Sequence, residues 1–192
     1  MLSAAVQDLV DGQSADLAFE TRVDVDLPEC LMMAEDKTGA LLGCACGLGA
    51  LFGGACPEQV GHLRDFGERV GLAFQLVDDL LGIWGDPHVT GKPVHSDLRR
   101  RKKSLPVVAA LTSGTPAGEE LATLYHRDEP MSDADLVRAA ELIEAAGGRA
   151  WCRSKADDLL AEALRHVEAA AAAERTTAEL LALGRMVTRR DH

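Results

Sequence analysis

The chain has 192 residues, of which 47% are apolar and only 4% aromatic, and its 31 acidic against 20 basic residues give a net charge of −11. That length suffices for one domain with a true core. The acidic balance excludes general nucleic-acid binding, which needs an extended basic face; the single basic run, Arg99-Arg100-Arg101-Lys102-Lys103, is too short to overturn this.

In chain order, residues 1–21 place Leu2, Val6, Leu9, Val10, Leu17 and Phe19 at helical spacing, with Gly12 as a weak point. Asp26-Leu27-Pro28-Glu29 starts a second helix with proline in its first turn. That helix runs to Asp36 and bends at Lys37-Thr38-Gly39. Residues 40–53 are dense in Gly, Ala and Cys, so they either admit another backbone closely or leave room for a ligand. The longest apolar stretch, residues 40–56, is too short and too rich in glycine to span a bilayer and reads as a buried helix. Pro57 opens the longest helix, with Val60, Leu63, Phe66, Val70, Phe74, Val77, Leu81 and Trp84 at three- and four-residue steps, and Gly85-Asp86-Pro87 closes it. Residues 87–102 read as a polar loop, and a loop of that length inside a compact domain is usually functional or mobile. A short apolar helix follows over 103–111, another starts at Thr115-Pro116, and Ser132-Asp133-Ala134-Asp135 carries a capping pattern. Gly147-Gly148 stops that helix, and residues 151–173 and 176–187 complete the chain.

With no strand-like alternation, linker or repeat, the expectation is a single all-α domain over residues 1–192. The five cysteines, Cys30, Cys44, Cys46, Cys56 and Cys152, are odd in number and form no Cys-x-x-Cys. Four lie in or beside apolar helical sequence, where free cysteine acts as a small hydrophobe. Together with a start, Met1-Leu2-Ser3-Ala4, that lacks a cationic secretory region, this predicts a reduced, cytoplasmic protein.

The densest chemistry lies in Gln75-Leu76-Val77-Asp78-Asp79-Leu80-Leu81-Gly82-Ile83-Trp84-Gly85-Asp86. Two adjacent carboxylates end an apolar helix, where an unpaired charge is costly. Thr90-Gly91-Lys92 and the basic run follow. An acidic helix end, a glycine-bearing loop and then cations are what a protein needs to hold Mg²⁺ against a phosphate, because Mg²⁺ shares oxygen ligands with substrate phosphates and lysines cover the remaining oxygens. Gln75, Asp78 and Gly82 share a helical face, whereas Asp79 is turned by about 100° from Asp78. One carboxylate is thus free to point into a cavity while its neighbour supports it. An Asp-Asp pair on its own reads as solvated; the apolar flanks and the loop that follows reverse that. The chain contains its own control, Asp157-Asp158-Leu159-Leu160, which has the same letters but no glycine loop or basic run after it and reads as solvated surface. Lys37-Thr38-Gly39 and Thr90-Gly91-Lys92 each read alone as helix-end polarity, but either lysine can donate to a phosphate. The six histidines show no zinc-binding spacing, and there is no Gly-x-Ser-x-Gly or Walker-type loop.

Gly12-Gln13-x-x-Asp16, Lys37-Thr38-Gly39, Phe74-Gln75-x-x-Asp78-Asp79, Gly85-Asp86, Thr90-Gly91-Lys92 and the run ending Lys103-Ser104-Leu105-Pro106 together resemble the trans-isoprenyl diphosphate synthases, the polyprenyl synthetases, over nearly the whole chain. The resemblance implies an all-α isoprenoid-synthase bundle around an apolar cavity. The reaction it implies is ionisation of an allylic diphosphate, attack by isopentenyl diphosphate and loss of a proton, with Mg²⁺ as cofactor. By position it makes Asp78 and Asp79 metal-binding residues, with Asp79 supporting Asp78. It makes Lys37 and Lys92 ligands of the allylic diphosphate, and places Thr38 and Gln75 beside the reacting carbon. Two departures stand out. The family's Asp-Asp-x-x-Asp has Gly82 at its fifth position, which Asp86, two turns beyond Asp78, compensates only in part. The first aspartate-rich motif, which in the family precedes the Gly-Gln-x-x-Asp helix, is absent, so the expected bundle lacks its N-terminal helices. Three readings follow: a prenyltransferase component, working as a homodimer or as a heteromer with an N-terminal-half chain; a non-catalytic modulator of another synthase; or a terpene cyclase on the same fold.

Overall fold

The apolar periodicity that begins at Pro57 produces one helix of 28 residues, α4 (Pro57–Trp84). The computed structural model describes residues 1–91, 93–171 and 173–188, with Val89 through its backbone only. Among these residues there is no strand. The other helices are α1 (Leu2–Phe19), α2 (Leu27–Ala34), α3 (Ala40–Phe52), α5 (Pro87–Thr90), α6 (Ser96–Arg99), α7 (Leu105–Leu111), α8 (Pro116–Tyr125), α9 (Asp133–Ala145), α10 (Gly148–Ala169) and α11 (Glu174–Thr188). No described helix is long and apolar enough to cross a membrane. The chain forms two compact units. The first takes Met1–Ala15, Met32–Gln75 and the described residues from Lys155 on; the second takes Asp16–Leu31 and Leu76–Ser154.

In the first unit the bend expected at Lys37-Thr38-Gly39 is a π-helical turn, Glu35–Gly39, joining α2 to α3 without a break: Ala34 and Ala40 on either side keep right-handed helical angles. Such a turn inserts a residue and re-aims the side chains around it, which is why π turns gather at functional sites. The small residues of 40–53 serve close backbone approach. A Cβ added at Gly67 of α4 would lie 2.5 Å from the Leu42 carbonyl oxygen and 2.8 Å from Gly43 Cα. One at Gly71 would lie 2.8 Å from Gly39 Cα. Glycine at Gly12 has the same purpose, since its Cβ would fall 2.4 Å from the Lys37 nitrogen. Phe66, Val70, Ala163 and Val167 form the buried centre of this unit, with Leu180 and Leu181 packed against them.

In the second unit Val107, Ala110, Leu121, Leu124, Tyr125, Leu136, Ala139 and Ile143 form a core that also takes in Ile83 of α4 and Leu98 of α6. The predicted caps are present. The Thr115 hydroxyl accepts from Gly118 N–H at 3.1 Å, and Ser132 and Asp135 form a reciprocal capping box. The expected loop over 87–102 is different: it contains the two one-turn helices α5 and α6. Asp86 accepts from His88 N–H at 2.8 Å with Pro87 at the first helical position, so a local cap nucleates α5. Burial of Leu98 anchors α6. The helix expected to begin near Trp151 starts at Gly148, where a Cβ would stand 2.3 Å from the Pro106 carbonyl oxygen.

Gly67→Ala forces apart two helix backbones, so it lowers unfolding free energy by about 1–3 kcal/mol. Gly49→Ala, on the same pair of helices but facing open space, raises it by about 0.5–1 kcal/mol through helix propensity. Urea denaturation midpoints of the two variants should therefore move in opposite directions.

Candidate functional site

The end of α4 separates its two adjacent carboxylates. Asp79 is 1% exposed, so its charge must be met by the protein. Its Oδ1 accepts from Lys102 Nζ at 2.9 Å and its Oδ2 from Leu105 N–H at 2.9 Å. Leu105 is the first residue of α7, and Ser104 in front of it makes no side-chain cap. Asp79 therefore supplies the anion at that helix start from a distance in sequence. Asp97 Oδ2 lies 3.6 Å from the same Lys102 ammonium. Burial acts to lower the Lys102 pKa, but Asp79 and Asp97 outweigh it and hold the ammonium above the ordinary lysine value.

The segment carrying Lys102 is fixed along its backbone. Lys102 N–H donates to the Asp97 carbonyl at 3.0 Å, the Tyr125 hydroxyl donates to the Lys102 carbonyl at 3.1 Å, and the Cys30 thiol donates to the Lys103 carbonyl at 3.4 Å. Burial pushes the Cys30 thiol and the Tyr125 hydroxyl well up, which keeps both protonated as donors. The basic run is thus not one cationic patch. Arg99 pairs with Asp133 at 2.8 Å, Arg101 donates to the carbonyls of Arg127 and Glu129, and Lys103 is buried and donates to the Glu20 carbonyl.

Asp78 has the opposite character. It is half-buried and makes no hydrogen bond or ion pair with a described residue. The two adjacent acids thus differ: each Asp79 oxygen accepts from a donor, whereas Asp78 has no such contact with a described residue. Asp86 Oδ1 caps α5. Among the described residues no three His, Cys, Asp or Glu side chains converge as a metal cage. The second Asp-Asp pair, Asp157 and Asp158, is exposed, as its sequence context predicts.

Lys37, Thr38 and Gln75 fall into the first unit. Thr38 Oγ1 donates to Gln75 Oε1 at 2.8 Å, a contact set by the π turn and by the backbone approach at Gly39 and Gly71. Lys37 is half-buried in the same π turn. Lys92 lies outside the described residues. Sequence reasoning missed Lys102 and Asp97 as parts of the site. Lys102 was visible only as one member of a basic run, and Asp97 only as a polar loop residue.

The polyprenyl synthetase family model matches residues 1–143. The (2E,6E)-farnesyl diphosphate synthase of Mycobacterium tuberculosis strain H37Rv is 45% identical over 192 residues, covering 98% of this chain and 54% of the relative. The geranylgeranyl diphosphate synthase of the same organism is 44% identical, covering 99% of this chain and 53% of that one. The chain thus spans about half the length of these relatives. The crystal structure of a polyprenyl synthetase from Streptomyces coelicolor superposes with a TM-score of 0.92 at 44% identity, over 97% of this chain and 57% of that chain. A geranylgeranyl pyrophosphate synthase from Corynebacterium glutamicum, complexed with isoprenyl diphosphate and magnesium, gives a TM-score of 0.87 at 29% identity, over 96% of this chain and 52% of that one.

Removing the Asp79 carboxylate leaves a largely buried ammonium and a helix-start N–H without their acceptor. Asp79→Ala should cost about 3–5 kcal/mol of unfolding free energy. Asp78→Ala, which breaks no hydrogen bond or ion pair with a described residue, should change it by no more than about 0.5 kcal/mol. Equilibrium denaturation of the two variants measures the division between adjacent acids.

Proposed function

The chain belongs to the polyprenyl synthetase family, and from that premise we propose that it is the C-terminal half of a trans-isoprenyl diphosphate synthase. In this reading it contributes one side of the site at which an allylic diphosphate condenses with isopentenyl diphosphate. The observation that carries the reading is Asp78: a carboxylate with no partner among the described residues, beside one locked to a lysine, one turn beyond Gln75 on a long helix.

These residues fit Mg²⁺, which needs only one or two protein carboxylates when substrate phosphates supply the rest of its shell. When bound, the metal neutralises charge building on the leaving diphosphate. Asp78 holds it. Asp79 fixes the end of α4 through Lys102 and α7, so that Asp78 meets its cation without reorganising. Lys37 and Lys92 supply ammonium groups to the allylic diphosphate. The Thr38 hydroxyl, whose proton goes to Gln75, keeps its lone pairs for positive charge at the reacting carbon or for the proton that leaves. The remaining metal ligands and the rest of an apolar cavity come from an N-terminal-half segment, in the same polypeptide or in a partner chain.

The test is to combine the chain with the N-terminal half of the M. tuberculosis farnesyl diphosphate synthase and supply an allylic diphosphate, isopentenyl diphosphate and Mg²⁺. A longer linear prenyl diphosphate is expected. Asp78→Ala should slow its formation about 100-fold or more, while Asp158→Ala, in the exposed second copy, should leave the rate unchanged. Turnover indifferent to Asp78→Ala would make the chain a modulator, and a cyclic hydrocarbon product would make it a terpene cyclase.

A further inference from the structure

The first unit holds a pair of histidines that the proposed function leaves unused. His62 on α4 and His166 on α10, both half-buried, bring their Nδ1 atoms to 3.2 Å. The ring centroids are 5.5 Å apart, so the rings meet nitrogen to nitrogen and not face to face. Asp65 follows His62 by three residues on the same side of α4. Its Oδ2 lies 3.8 Å from His166 Nδ1, and its Oδ1 lies 3.7 Å from the Arg64 guanidinium.

The surroundings fix these groups. The Gln59 side-chain amide donates to the Ala170 carbonyl at 2.9 Å, and Arg69 pairs with Glu162 at 3.3 Å. The two helices are therefore pinned in one register on either side of the histidines. Phe66, Ala163 and Val167 form the buried core next to them. The His166 and Asp65 side chains keep 30% and 36% of their surface exposed, so water reaches the pair. Two imidazole nitrogens facing each other on a packed seam, with a carboxylate beside them and water in front, make a donor set for a cation.

We propose that His62 and His166 form a clamp for one divalent transition-metal ion of the Zn²⁺ kind, with Asp65 closing as a third ligand and water completing the shell. Tetrahedral Zn²⁺ takes imidazole nitrogens at about 2.0–2.1 Å, which sets neighbouring donors about 3.3 Å apart. The two ring nitrogens already have that spacing. The Asp65 oxygen is too far by about half an ångström on the same measure, so the three do not converge as a cage until this partly exposed side chain turns inward. In the neutral, metal-free pair one Nδ1–H donates to the other Nδ1. Metal binding turns each ring slightly and gives both Nδ1 lone pairs to the ion. The ring that carried Nδ1–H then carries that hydrogen on Nε2, and no net proton is released. Nitrogen donors select Zn²⁺, Co²⁺, Ni²⁺ or Cu²⁺ over Mg²⁺, which takes oxygen. The clamp is independent of the proposed prenyl transfer, and its effect is to cross-link α4 to α10.

The experiment uses the full chain with its exposed thiol removed by Cys56→Ser, titrated with Zn²⁺ at neutral pH. Long-range ¹H–¹⁵N spectra of the imidazoles, assigned through the backbone, read the site directly. One equivalent of Zn²⁺ should move the Nδ1 resonances of both His62 and His166 to metal-bound positions and leave both rings as Nε2–H, while excess Mg²⁺ moves neither. In calorimetry, His62→Gln and His166→Gln should each weaken Zn²⁺ binding about tenfold or more, and Asp65→Asn should weaken it less. Zn²⁺ should raise the melting midpoint of the Cys56→Ser chain and not that of either histidine variant. Nδ1 resonances that stay in place with Zn²⁺ overturn the clamp, and this readout stands even if a histidine variant fails to fold. Zn²⁺ affinity unchanged in both histidine variants overturns it as well. The same resonances moved by Mg²⁺ overturn the choice of metal. An Asp65→Asn chain with full affinity removes the carboxylate from the shell and leaves the two-histidine clamp standing.

Discussion

A carboxylate with 1% of its surface exposed cannot be left alone, and the way Asp79 is satisfied shapes the second unit. Its two oxygens bind a side chain and a backbone group from the same short stretch, Lys102 and Leu105. That stretch must therefore arrive at α4 in one register. The turn before it is drawn tight, α7 starts where Asp79 can cap it, and the carbonyls of Lys102 and Lys103 are held by Tyr125 and Cys30. A polar contact of this kind adds little net stability compared with an apolar core of equal volume, but breaking it by removing one partner is severe. Its value is specificity: it allows one arrangement of α4 against the segment 97–105.

In the first unit the constraint is steric. Glycines 39, 67 and 71 bring the backbones of the π turn, α3 and α4 nearly into contact, leaving no freedom to slide. The Thr38–Gln75 hydrogen bond at 2.8 Å follows from that rigid approach. Gly12 adds α1 to the same turn by removing a Cβ from the path of Lys37. The two side chains proposed to face the reacting carbon therefore stand on helices fixed by backbone packing, which holds position better than a loop does.

Much of this was legible in the sequence, because much of it is local. The repeat of Val60, Leu63, Phe66 and Val70 fixes α4, and Thr115 and Ser132 announce helix starts through hydrogen bonds made within three residues. The contrast between the two Asp-Asp-Leu-Leu copies was legible too, since the flanking residues decide it. What was hidden depends on distant partners. Nothing near residues 99–103 says that Arg99 and Arg101 are spent on surface contacts while Lys102 turns inward, since the deciding groups are Asp79, Asp97, Asp133 and two carbonyls far along the chain. The helices α5 and α6 were hidden for a related reason. Each is one turn long, below the length at which periodicity carries a signal, and α6 exists because Leu98 finds a core.

Adjacent acids with opposite fates also explain how such a site stays folded while remaining receptive. A metal-binding carboxylate has to keep its charge uncompensated by the protein, which by itself loosens the backbone that carries it. Asp79 removes that difficulty, because its neighbour's helix turn is fixed by a pairing that makes no use of Asp78. In the proposed reading, the charge left over at Asp78 is what an incoming cation meets. In the proposed reading, binding energy from a magnesium diphosphate is therefore not consumed in ordering the helix end, since the protein has ordered it beforehand.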